Sequence, residues 1–274
     1  MFTTQFSMKL RHVVAAVLVV GMLGGCASAT DGQGSDDEAV NDPIEGFNRY
    51  LFEVNMGIDK LVLRPLAEVY RTALPDVVQN AVRNFMDNLR TPVVLVNDLL
   101  QGEFSRAWST LARFGINSTA GGLGLFEVAD GWGYQKHNED FGQTLAVWGT
   151  GEGPYLMLPL FGPSNPRDAV GRVVDFFLDP LNWVLAGQSW AGVEGLGTAG
   201  RAANMARTGL DAADTRARNI ETLDTIEKNS LDFYATVRSL YRQRRMDEIN
   251  NGKPTGSSNV PTLSALPNPP AKTP

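Results

Sequence analysis

The chain has 274 residues, enough for one domain or at most two, with a formal net charge of −6. That acidity argues against nucleic acid as a partner and against attraction to anionic headgroups as the main membrane contact. One cysteine excludes an intramolecular disulfide and thiolate metal clusters, and two histidines exclude His-rich zinc ligation.

Lys9, Arg11 and His12 precede an apolar run that ends in Leu23-Gly24-Gly25-Cys26. A basic flank, an apolar core of about a dozen residues and small residues before a cut describe a secretory signal over 1–25, not a membrane span. Met8 is an alternative start. The four residues ending in Cys26 resemble the lipobox of bacterial lipoproteins, which implies cleavage before Cys26 and its acylation. An ordinary signal with an incidental cysteine is the alternative. Losing Lys9 and Arg11 with the leader takes the charge to −8. Ala27, where such lipoproteins carry aspartate for inner-membrane retention, implies the outer membrane, periplasmic face. Residues 26–41 are small, polar and acidic, a flexible tether reaching roughly 20 Å. No later run of 18 apolar residues exists, so no second span is expected.

Asp42-Pro43-Ile44-Glu45 reads as a helix start, with a capping aspartate, proline at the first position and a glutamate reaching back. Ile44, Phe47, Leu51, Val54, Ile58 and Leu61 then recur at spacings of three and four, one helix face. Pro65 and Pro75 punctuate two further helices, the second with Val78, Val82, Phe85 and Leu89 on one side. Pro92 opens another through Leu100, with Gly102 as its stop. Phe104, Trp108, Leu111 and Phe114 mark the next. A flexible glycine-rich run, 120–126, follows. Residues 139–168 begin as a short amphipathic helix and continue through Gly149, Gly151, Gly153 and Pro154. An apolar segment, 155–161, comes next; Pro159 has no donor for a sheet ladder, so a fixed extended loop is expected. Helices follow from Arg167 to Phe177 and from Asp179-Pro180 toward Leu185. Residues 188–200 give no clear pattern. A long half-apolar helix is expected from Arg201 to about Ile249, broken near Gly209, and 251–274, with six prolines, reads as a disordered tail. The body, 42–250, is therefore read as all-α.

Chemistry has few carriers. His137, the one histidine after the leader, sits in Lys136-His137-Asn138-Glu139-Asp140, which reads as a solvated turn before a helix whose dipole favours Glu139 and Asp140. No nucleophile–base–orienter set accompanies it, so no catalytic residue is assigned. Residues 149–153 lack the following helix a phosphate loop needs, and no calcium-loop spacing occurs. No cofactor or metal is expected. Arg238, Arg242, Arg244 and Arg245 cluster near a helix C-terminus. They are either favourable dipole partners or a docking patch for an acidic partner or headgroup.

The segments DPIEGFNR (42–49), PVVLVNDLLQGE (92–103), ARFGINSTAGGLGLFEVAD (112–130), EDFGQTLAVWGTGEGPYLMLPLFGPSNPRD (139–168) and DFFLDP (175–180) resemble the MlaA family, also called VacJ. The resemblance spans about 42–185 and implies an outer-membrane lipoprotein, anchored in the periplasmic leaflet, that removes phospholipids mislocalised to the outer leaflet and maintains lipid asymmetry. It further implies a ring of amphipathic helices around an amphipathic channel, association with a trimeric porin, and transfer of lipid to a soluble periplasmic carrier, MlaC. A channel or gate is expected at Gly121, Gly122, Leu123, Leu125 and Phe126 and at Tyr155, Leu156, Leu158 and Phe161, because glycine lets a gate move; structural packing is the alternative for both. An envelope scaffold without lipid passage and a lipid-modifying enzyme using His137 or a carboxylate pair are the competing classes.

Overall fold

The computed structural model describes residues 41–185 and 197–251. Cys26, the leader, the tether, residues 186–196 and the tail beyond Asn251 lie outside the described residues. What is described is helical apart from its loops and one short β-hairpin.

Helix α1 (Glu45–Ile58) passes through one wide π turn, Asp59–Leu63, directly into α2 (Arg64–Ala73). Pro65 therefore widens the helix rather than ending it: it lacks the N–H for the usual i−4 bond, and the Arg64 N–H reaches back five residues to the Asp59 carbonyl instead. Asp42 is not the expected cap. It is buried and accepts from Asn48 Nδ2 (2.7 Å), Arg238 Nη1 (2.8 Å) and the Tyr234 hydroxyl. Leu74, forced extended by the following proline, makes the corner before α3.

Helix α3 (Asp76–Leu100) is continuous, with Pro92 inside it rather than at the start of a new helix. Thr91 Oγ1 donates to the Asp87 carbonyl (3.2 Å), one turn back beside the missing donor. After the turn at Gly102, α4 (Phe104–Thr119) returns along α3. Residues 120–126, expected as a flexible run, carry backbone hydrogen bonds. They form consecutive hydrogen-bonded turns, Gly124 N to Asn117 O (2.8 Å) and Phe126 N to Gly121 O (2.9 Å) among them. Gly124 is left-handed, and the Asn88 side chain fills the space where its Cβ would lie.

Helix α5 (Phe141–Val147) is capped by Asp140, which accepts from Gln143 N (2.9 Å). The expected extended loop is in fact a hairpin: β1 (Leu156–Leu158) pairs antiparallel with β2 (Gly162–Ser164), Leu158 opposite Gly162. Pro159 sits in the connecting turn, where no ladder donor is required. The outer edge of β1 is closed by two asparagines of α1, seven residues and so about two turns apart. Asn48, fully buried, donates to Tyr155 O (3.0 Å) and accepts from Met157 N (2.9 Å). Asn55 donates to Leu158 O (2.9 Å) and accepts from Leu160 N (2.8 Å). Helix α6 (Pro166–Leu178), capped by Asn165, packs on α5 so closely that Gly171 faces the backbone of Gly142. Helix α7 (Pro180–Leu185) follows.

The expected long C-terminal helix is three: α8 (Gly197–Arg218), α9 (Ile220–Asn229) and α10 (Phe233–Ile249). Gly209 lies inside α8. The breaks fall at Asn219, whose amide donates to the Thr215 carbonyl (2.7 Å), and at Asp232, which caps α10 through Ala235 N (3.1 Å). An antiparallel run of ion pairs joins these helices to α1 and α2: Arg49 with Asp232, Lys60 with Glu227, Arg64 with Asp224, and Arg71 with Glu221. Beneath it lies a small core of Ala67, Tyr70, Ala213, Ala217 and Ile220. A second one joins Tyr155 and Met157 of the hairpin to Tyr234.

The apolar stripes face outward. In α4 the expected stripe is exposed, Phe104 at 71% and Trp108 at 64%, while Ala107, Thr110, Arg113 and Asn117 are buried. In α6, Val173, Phe176 and Phe177 are exposed and Arg167, Asp168 and Gly171 are inside. In α1 and the π turn after it, Phe47, Val54 and Leu61 point out and Asn48 points in. The largest fully buried side chains are Asn48, Asn97, Thr144, Asp98 and Ser164, all polar. The usual rule, apolar inside, is inverted here.

Candidate functional site

The inward faces surround a cavity of about 860 Å³. Its wall is drawn from α3 and α4, the segment 127–140, the tip of the hairpin, α6, α8 and α10. Charge covers that wall, but in matched pairs. Lys136 meets Asp87, Arg90 meets Asp211, Arg113 meets Glu127 (2.8 Å) and Arg207 meets Asp179 (2.8 Å).

Arg245, on α10, holds two helix starts together. It bonds both oxygens of Asp140, the cap of α5, at 2.6 Å each, and Asp168 in the first turn of α6 at 3.1 Å. Burial opposes its charge, but Asp140 and Asp168 more than offset this, so its pKa is raised. Burial likewise works against the Asp140 carboxylate, and the bonds from Arg245 overcome it and hold its pKa low. Tyr241 donates to Asp168 (2.5 Å), and burial first, then that bond, raise its pKa. Asp175, at the junction of α3, α5 and α6, accepts from Asn97 Nδ2 (3.0 Å) and Phe141 N (3.1 Å). Burial outweighs those bonds, and its pKa rises to about 6.

His137 is not in a solvated turn. Its Nε2 lies 3.0 Å from the fully buried Asp98, and Thr110 Oγ1 donates to the same carboxylate (2.6 Å). Glu139, also buried, accepts from Gln101 (2.8 Å) and from Arg106, and burial raises its pKa. Thr110 Oγ1 also lies 3.1 Å from His137 Nε2, so the trio ties α3, α4 and the 127–140 segment together.

Of the residues expected to form a channel or gate, Phe161 lines the cavity; Gly121, Gly122, Leu123, Leu125, Phe126, Tyr155, Leu156 and Leu158 do not. Tyr155 is buried against Tyr234 and Tyr241. Leu123 and Phe126 are exposed on the outer surface. A Cβ on Gly121 would lie 2.5 Å from the Asn117 carbonyl oxygen, so bulk there disturbs packing of the turn whether or not anything moves. Three of the four arginines are spent internally: Arg238 on Asp42, Arg242 on Glu152 (2.8 Å) and Arg245 as above. Arg244 pairs with Glu248 one turn on, is mostly exposed and lines the cavity. Among the described residues no group of His, Cys, Asp and Glu is arranged to hold a metal.

Sequence reasoning missed Asn48, Asn55, Asn97 and Asp98, all on helices it had placed. The available signal was an amide or carboxylate between the apolar positions of a stripe, which reads as a solvated face until the other side is known.

The family model for MlaA lipoprotein matches residues 40–248. The intermembrane phospholipid transport system lipoprotein MlaA of Escherichia coli K12 is 33% identical over 263 residues, covering 94% of this chain and 96% of its own. Its counterpart in Haemophilus influenzae is 30% identical, covering 90% and 93%. A solved structure reported as the structural basis for maintenance of bacterial outer membrane lipid asymmetry superposes with a TM-score of 0.64 at 30% identity, over 76% of this chain and 99% of that one.

Proposed function

The chain belongs to the MlaA lipoprotein family, and from that premise we propose that it is the outer-membrane lipoprotein of a phospholipid transport system, anchored through Cys26 in the periplasmic leaflet. It takes phospholipids mislocalised to the outer leaflet through its cavity and gives them to a soluble periplasmic carrier, MlaC, with a trimeric porin as its partner in the membrane.

The observation that carries this is the inverted distribution of polarity. Exposed aromatic and aliphatic stripes on α1, α4 and α6 suit contact with acyl chains, and a charged cavity of about 860 Å³ suits a headgroup. No described helix is long and apolar enough to cross a membrane, which fits a body lying in one leaflet. Backbone groups in lipid need internal partners. Helices supply them, Asn48 and Asn55 close one hairpin edge, and Arg172 donates to carbonyls of the other.

No bond is made or broken. A phospholipid in the outer leaflet moves down in free energy when its headgroup enters the polar cavity, and the carrier fixes the direction. The test is phospholipid exposed on the surface of cells lacking the protein. The rise is expected to be corrected by the wild-type gene and by His137→Ala at normal protein level, but not by Cys26→Ala. No rise on deletion refutes lipid retrieval and leaves an envelope scaffold.

A further inference from the structure

Most of the residues that line the cavity are polar or charged, and its other cations sit beside carboxylates. Arg172 on α6 is different. Among the described residues no carboxylate lies within ion-pair distance of it, and its Nη1 and Nη2 donate to the backbone carbonyls of Phe161 (3.3 Å) and Pro163 (3.2 Å). A guanidinium has five N–H donors, so three remain. The side chain is exposed and lines the cavity.

Apolar surface collects at the same place. Phe161, 71% exposed at the hairpin tip, and Phe176, 54% exposed and four residues along the same face of α6, line the cavity with Pro163. Elsewhere the lining is polar except for Val93 and Val94. An unpaired cation flanked by two exposed rings is complementary to an anion carrying hydrocarbon.

We propose that Arg172 docks the phosphodiester of a membrane phospholipid at the hairpin end of the cavity, with Phe161 and Phe176 receiving the glycerol end of the acyl chains. This rests on the transport reading and adds a headgroup site to it. Guanidinium matches phosphate through paired N–H donors, and such charge-assisted bonds are about twice as strong as neutral ones. The hairpin carbonyls fix the guanidinium before the lipid arrives, which lowers the ordering cost of binding.

The experiment titrates the full chain in dodecyl maltoside with dihexanoyl phosphatidylethanolamine, with the matching diacylglycerol and with inorganic phosphate. Arg172→Gln is expected to weaken phosphatidylethanolamine about tenfold, Arg172→Lys to weaken it less, and neither to change diacylglycerol binding. Inorganic phosphate is expected to bind far more weakly than the lipid. Unchanged phosphatidylethanolamine binding in Arg172→Gln overturns the site alone. Equal losses for diacylglycerol also overturn it, since the arginine then acts only by bracing the hairpin. Free phosphate binding as tightly as the lipid overturns the lipid assignment. Wild-type protein that binds no phosphatidylethanolamine overturns both the site and the transport reading.

Discussion

Gly171→Ala tests the contact on which the cavity wall depends. A Cβ built at Gly171 lies 2.7 Å from Gly142 Cα and 3.1 Å from the Phe141 carbonyl carbon, backbone atoms that no rotamer change can move. Ordinary Cβ contacts begin near 3.4 Å, so α5 and α6 must separate by several tenths of an ångström or more. That separation pulls on Arg245, which bonds the first turns of both helices. Overpacking of this kind costs about 3 kcal/mol at the upper end, and alanine's helix propensity returns about 1 kcal/mol. The net loss is about 2 kcal/mol, a fall in Tm of roughly 4–8 °C for a domain of this size. Gly209→Ala in α8 is the control: nothing lies within 4 Å of its Cβ, so the same substitution gains about 1 kcal/mol. Thermal unfolding in detergent, followed by far-UV circular dichroism, reads both. If Gly171→Ala melts at or above wild type, the close approach of α5 and α6 is not what positions the cavity.

Asn55→Leu removes both bonds that hold the hairpin tip to α1; limited proteolysis is expected to cut near Leu160 at least several-fold faster, with the helices intact. Asn48→Ala acts on the buried part of the same edge and costs about 2 kcal/mol for each backbone group left unsatisfied, read as a lower unfolding midpoint. Asp42→Ala takes the nearer carboxylate from the Arg238 guanidinium, which keeps Glu45 at 3.5 Å, and the acceptor from the Tyr234 hydroxyl; a loss of about 2–3 kcal/mol follows from the buried bonds lost, and unfolding by guanidinium chloride measures it. Asp175 has a folded pKa of about 6, above the ordinary carboxylate value near 4. The folded state therefore holds its proton more tightly. Its relative stabilisation is full below about pH 4, falls as pH rises from 4 to 6 and is gone above 6. Asp175→Asn is expected to remove that slope from the pH dependence of Tm, and an unchanged slope refutes the assignment.

Much of the helical framework was legible in the sequence because helix periodicity and capping are local. Phe104, Trp108, Leu111 and Phe114 place α4, and the acidic pair Glu139 and Asp140 marks the start of α5, whatever surrounds them. Breaks that depend on neighbours were not legible. Pro92 sits within α3 beside the Thr91 bond to the Asp87 carbonyl, Pro65 is absorbed by a π turn, and the C-terminal helix divides at Asn219 and Asp232 rather than at Gly209. The hairpin escaped notice because Asn48 and Asn55, more than a hundred residues away in sequence, supply the partners for its open edge. The arginines of α10 looked available for a partner because Asp42, Asp140, Asp168 and Glu152 lie 77 to 196 residues away in the chain. What the sequence determined by itself was that each helix has one apolar and one polar side, since that follows from residue spacing. Which side faces inward was decided only by the tertiary structure. Buried carboxylates, amides and guanidinium groups are stable inside only when matched, and the matches are made between helices.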